Sequence, residues 1–199
     1  MSFSHNSINE LRVNSEILNI LRELSRNVTE FTKKVCWELN LDRDVKVNMS
    51  LRVFTEPDWE SVSEDLKKEM EEAREDVKRK IRKMFQVYGY YDPRRKTIVL
   101  SLPCVRDNTS FSLTLAHELI HHCQSTCRSK ACRDICEYWL SPEEFSEIRE
   151  MLPYKERPYE VEAYSKDEKL AKKIKSVEGF KEIVQQVRRV YAEIKILIA

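Results

Sequence analysis

At 199 residues the chain is long enough for one domain with a helical appendage, and 35 Lys+Arg against 34 Asp+Glu leave a net charge of +1. That balance offers neither the basic footprint of a nucleic-acid binder nor an acidic solvating tail. The 41% hydrophobic share suffices for a core, no apolar run nears the ~18–20 residues of a membrane span, and two glycines are too few for phosphate-cradling loops.

Met1–Asn6 lacks the basic patch and apolar run of a secretory signal, which predicts a cytoplasmic protein. The 35% charged share suits the ion-pair networks of a thermophilic organism or its virus. Ile17, Leu18, Leu21, Leu24, Val28, Phe31, Val35 and Leu39 recur at helical steps, predicting an amphipathic helix over 15–39. Residues 45–53 alternate apolar and polar as a half-buried strand, which Pro57 and Asp58 end. A long charged helix is expected over 58–85; its Lys78–Lys83 run reads as a solvated face, because Glu69, Glu71, Glu72 and Glu75 precede it.

Residues 85–91 and 97–102, flanking Asp92-Pro93, predict a β-hairpin. Asn108 or Thr109 is placed to cap a helix from about Ser110 to Cys123 or beyond. Ser141-Pro142-Glu143-Glu144 has the cap, proline and capping-box glutamate of a helix start. Further helices are expected over 158–176 and, after Gly179, over 180–198. The order describes an α+β protein: an N-terminal helical region with one strand (1–84), a core (85–176) and a C-terminal helix (177–199).

Chemistry concentrates in His117-Glu118-Leu119-Ile120-His121. Residues four apart share a helix face, so both imidazoles can bind one zinc ion (Zn2+), and Glu118 can reach a water beside it as general base. His122 is turned by roughly 100° and is expected to be a supporting or surface group, not a ligand. No histidine follows His122, and Gln124 and Cys127 occupy the positions where a metzincin would have Gly and His. A third ligand is therefore expected from a carboxylate on a later helix. Glu160 lies close to the apolar face defined by Tyr159, Ala163, Leu170 and Ile174, whereas Glu162 aligns with Lys166 and Lys169. Glu160 is the favoured ligand and Glu162 the alternative.

Cys123, Cys127, Cys132 and Cys136 form two i,i+4 pairs. On a helical hairpin over 123–136 they would make nested disulfides, Cys127–Cys132 inside Cys123–Cys136; a four-cysteine zinc site and free thiols are the alternatives. Cys36 and Cys104 are candidates for a further bridge.

The segment His117–His121 together with Arg157-Pro158-Tyr159-Glu160-Val161-Glu162-Ala163-Tyr164 resembles the minigluzincins, small zinc metallopeptidases of gluzincin type, and more distantly the ImmA/IrrE-type metallopeptidases. The likeness covers roughly residues 85–175. It implies a zincin-like fold, a small sheet with an active-site helix and a glutamate helix, and a zinc metalloendopeptidase acting on peptides or proteins. His117, His121 and Glu160 would be the ligands. It also implies that such enzymes are sometimes latent, here through the tail near Tyr191–Ala199. The strand 97–102 would be the edge on which substrate pairs. Tyr164, one turn after Glu160, would bond a ligand or the oxyanion, or else pack as a half-buried core tyrosine. The alternative function is a regulatory or protein-interaction module on the same scaffold, with its long terminal helices as the partner surface.

Overall fold

The computed structural model describes residues 5–52, 54–55, 86–126 and 130–198, with side chains at 15–52, 88–126 and 132–198. The helix expected over 58–85 lies outside them. Numbered in chain order, the described elements are α1 (His5–Glu38), β1 (Lys46–Ser50), β2 (Phe54–Thr55), β3 (Gln86–Val87), β4 (Gly89–Asp92), β5 (Thr97–Ser101), α2 (Asn108–Thr126), α3 (Lys130–Arg133), α4 (Pro142–Met151), a 3-10 turn (Tyr154–Glu156), α5 (Pro158–Ser176) and α6 (Phe180–Ile198). The class is α+β, as expected.

The hairpin forms between β4 and β5, antiparallel with Gly89 opposite Leu100. Asp92 holds its turn by accepting from the backbone N–H of Arg94 and Arg95. β1 runs parallel to β5 on the other side, so the three-stranded order is β1-β5-β4. β5 is therefore the central strand and not the expected edge. Its sequence Thr-Ile-Val-Leu-Ser has the β-branched, nearly continuous apolar character of a strand covered on both faces. Gln86–Val87, read as part of the hairpin, pair instead with β2 in a separate ladder.

The two outer strands end differently. α1 lies along β1, where Thr29 Oγ1 and Ser25 Oγ accept from the backbone N–H of Val47 and Met49 at 2.9 Å. Helix hydroxyls thus close that edge. β4 presses instead on α2: a Cβ on Gly89 would stand 2.8 Å from the Val99 carbonyl and 2.9 Å from Thr114 Cγ2. Only glycine lets the strand come so close to the helix that carries the histidines.

α2 packs along α5, and α6 packs along α1, around one continuous apolar cluster that takes in Leu24 and Val35 of α1, Leu100 of β5, Leu115 and Leu119 of α2, Ile174 of α5 and Val187 of α6. Segments 1–84 and 177–199 thus contribute, through their described residues, to the same core as 85–176. Caps set the entries. Asp107, rather than Asn108 or Thr109, caps α2 by accepting from Thr109 N and Ser110 N at 2.9 Å. Ser141 and Glu144 form the expected capping box at α4. Gly179, at φ +92°, turns the chain into α6.

The cysteine scheme is corrected in part. Cys123 and Cys136 are free buried thiols, not an outer disulfide, and Cys36 and Cys104 are free as well. Burial pushes Cys136 up to about 11 and Cys36 up to about 12, so both stay protonated near neutrality. Cys132 is disulfide-bonded, while its expected partner Cys127 lies outside the described residues. The second arm of the expected hairpin is only the single turn of α3.

Candidate metal centre

α2 presents His117 and His121 toward α5, and Pro158 at the first turn of α5 starts the helix so that Glu160 faces them. His117 Nε2 and His121 Nε2 stand 3.2 Å apart. Glu160 Oε2 lies 3.1 Å from the first and 3.2 Å from the second. All three residues are buried. Ligand atoms about 2.0–2.1 Å from one tetrahedral ion stand roughly 3.3 Å from each other, close to this spacing. They are the one such group among the described residues.

The cluster draws in positive charge. Burial alone would lower His117, but Asp167 and Glu160 outweigh it and push the ring up to about 10. His121 is raised too, with Glu160 overcoming burial. Burial likewise opposes the shift of Glu160, yet the two imidazoles hold its carboxyl far below the usual carboxylate range. Protons supply the charge when no cation does, and a divalent ion would displace them.

The outer ring nitrogens are held as well. His117 Nδ1 faces Asp167 Oδ2 at 3.8 Å. His121 Nδ1 donates to Gln124 Oε1 at 2.8 Å. Neither Gln124 nor Asp167 stood out in the sequence. Gln124 is three residues after His121 and Asp167 seven after Glu160, so helical phase was the signal that would have found them.

Glu118 is buried, and its Oε2 has no hydrogen-bond partner among the described residues. Burial pushes its carboxyl up, and Glu160 adds to this, while His117 and His121 pull it down. It lines a cleft of about 350 Å³ together with His121 and Glu160. Gly89, Tyr90 and Tyr91 of β4 form one wall, and Phe145 and Arg149 of α4 another. Tyr154, which sequence reading missed, also lines it. Burial, then Glu160, Tyr164 and Glu118, push its phenol well above the ordinary range, so it stays a hydrogen-bond donor.

Tyr164 is 55% exposed, so it is not a half-buried core residue. Its ring packs on His117 at 4.6 Å between centroids, and its hydroxyl is 3.4 Å from that of Tyr154. Glu162 lies outside the His117–His121–Glu160 group and does not face solvent. It is buried, and it accepts from Gln124 Nε2 at 2.9 Å and Lys166 Nζ at 2.7 Å, and from the backbone N–H of Glu137 and Tyr138. His122 also lies outside that group, and it is fully buried, between Tyr91 Oη at 3.2 Å and the Asp42 carbonyl at 3.1 Å. Among the described residues, those that line the cleft include none of α6. No described helix is long and apolar enough to cross a membrane.

No family model, curated protein or solved structure matches this chain.

Proposed function

We propose that the protein is a zinc-dependent metallopeptidase with a gluzincin ligand set on a zincin-like fold. The observation that carries this reading is the convergence of His117, His121 and Glu160 beside a buried carboxylate, partnerless among the described residues, that opens on the same cleft. Two imidazoles and one carboxylate are the donors of a catalytic zinc site that keeps a position open for water. A divalent ion held there supplies Lewis acidity, which brings the pKa of a water in its shell toward ~7.

The chain's own groups do the rest. Glu118, raised by burial, takes a proton from water at neutral pH and returns it to the leaving amine. Tyr154 keeps its proton and donates toward negative charge that develops on a carbonyl oxygen in the cleft. The corrected edge, β4, supports an extended substrate. Ser101 N donates to the Tyr88 carbonyl, so in the antiparallel alternation Gly89 and Tyr91 point their N–H and C=O away from β5. A peptide can add there as a further strand.

Zinc analysis of purified protein and hydrolysis of a peptide mixture test the reading. Wild type is expected to hold one zinc per chain and to cleave. Glu118→Gln should retain zinc and lose about 100-fold or more in kcat. Zinc-loaded wild type that leaves every peptide intact sinks the peptidase and leaves the metal-bearing interaction module. Undiminished cleavage by Glu118→Gln rejects the mechanism.

A further inference from the structure

Gln124 is 1% exposed and is a three-way junction. A primary amide has two chemically distinct ends, and its partners decide which end faces where. Nε2 is 2.9 Å from Glu162 Oε2 and 3.1 Å from the Tyr159 carbonyl. An ionised carboxylate and a carbonyl only accept, so this end must be the NH2 and both of its protons are committed. Oε1 then faces His121 Nδ1 at 2.8 Å. An amide oxygen only accepts, so Nδ1 must carry the proton. In the neutral ring the lone pair is consequently on Nε2, the atom that faces His117 and Glu160. A flipped amide would set its oxygen against two acceptors in a buried site and leave both of those bonds unmade.

The junction extends past the site. Besides Gln124, Glu162 receives the backbone N–H of Glu137 and of Tyr138, the latter at 3.3 Å. The Leu140 N–H comes back to the Gln124 carbonyl at 2.9 Å. The Glu162 side chain, which holds the Gln124 amide, therefore also docks Glu137 and Tyr138, while the Gln124 main chain docks Leu140.

We infer that Gln124 and Glu162 are positioning residues for His121, and that through them metal binding and the docking of 136–140 are coupled. This rests on the reading that the His117–His121–Glu160 cluster holds a metal ion. An ion on Nε2 fixes the ring, the ring fixes the amide, and the amide fixes the carboxylate that the Glu137 and Tyr138 N–H groups need. Linkage makes the effect reciprocal: whatever the metal adds to the docking, the docking returns to metal affinity.

The test uses zinc itself, on the full chain, with chelator competition for affinity and amide hydrogen exchange for docking. In wild type, zinc should slow exchange of the Glu137 N–H. Gln124→Met keeps the length of the side chain without its amide; it should weaken zinc about 10–100-fold and make Glu137 exchange indifferent to zinc. Affinity within about twofold of wild type in a folded variant overturns the inference. So does a wild-type Glu137 N–H that ignores zinc, a comparison that needs no variant to fold. Wild type that takes up no zinc overturns the metal reading as well, whereas zinc-binding protein with an indifferent Glu137 overturns the inference alone.

Discussion

Glu160 and Glu162 lie on the same helix, are both only 7% exposed, and have opposite tasks. A separation of two residues turns them about 200° apart around α5. Glu160 meets two imidazole nitrogens, which are donors only while they hold protons. Glu162 meets an amide NH2, two backbone N–H groups and an ammonium, which are donors at any moderate pH. Glu162 is complete as the chain folds it. Glu160 belongs to a cluster that is complete only with added positive charge. Burial does not distinguish the two carboxylates; the kind of partner does.

The largest expected effect breaks the Glu160 side. Glu160→Gln exchanges an anionic donor for a neutral amide, and zinc affinity should fall by more than about 100-fold, beyond what loss of an outer partner costs. In excess zinc Glu162→Gln should still reach one zinc per chain. Equal loss of stoichiometry in the two variants, read by elemental analysis after gel filtration, would erase the distinction between the glutamates.

Much of this was legible in the sequence because it rests on local rules. The i,i+4 spacing of His117 and His121 puts both rings on one face whatever surrounds the helix. The apolar phase of Tyr159, Ala163, Leu170 and Ile174 picked Glu160, and the capping box at Ser141 needed only four residues. Glu162 was misread because Gln124 and residues 137–138 reach it from far along the chain, while its own neighbours, Lys166 and Lys169, look like a solvent face. β5 was misjudged for a related reason. Its pairing with β1 joins strands some fifty residues apart, and hairpin signals say nothing about such a partner. Tyr154 came from a 3-10 turn, where no periodicity points at a cleft.

The intermediate effect sharpens the Glu162 side. Glu162→Gln gives the site an NH2 where donors already converge, so at least one buried donor loses its acceptor, and stability should fall by about 1–3 kcal/mol. Burial opposes the shift, but Lys166, Gln124 and the Glu137 and Tyr138 N–H groups together hold this carboxyl below its ordinary 4.5. A carboxyl whose folded-state pKa is depressed contributes stability above the unfolded value and loses it as pH falls through the folded one. The difference in Tm between wild type and variant should thus be constant above about pH 4.5 and shrink below it. A difference that widens in acid would mean that Glu162 is held by something other than these donors.

The smallest effect asks which donor matters to Glu162. Lys166 sits one turn after it, at 2.7 Å, and also reaches Glu137 Oε1 at 3.3 Å. The ammonium side chain remains 27% exposed, and Glu137 is almost fully solvated. Water reaches the ammonium end of the Lys166–Glu162 pair though not its carboxylate, and such a half-screened i,i+4 ion pair is worth about 0.5–1 kcal/mol. Lys166→Met should cost about that much, lose most of it in high salt, and leave zinc affinity within about twofold. The reason is geometric: Gln124 and the two backbone groups still hold Glu162, so the connection to His121 survives without the ammonium. A loss as large as that of Glu162→Gln would show that charge, not the neutral donors, keeps this carboxylate in place, and the contrast with Glu160 would then be one of degree.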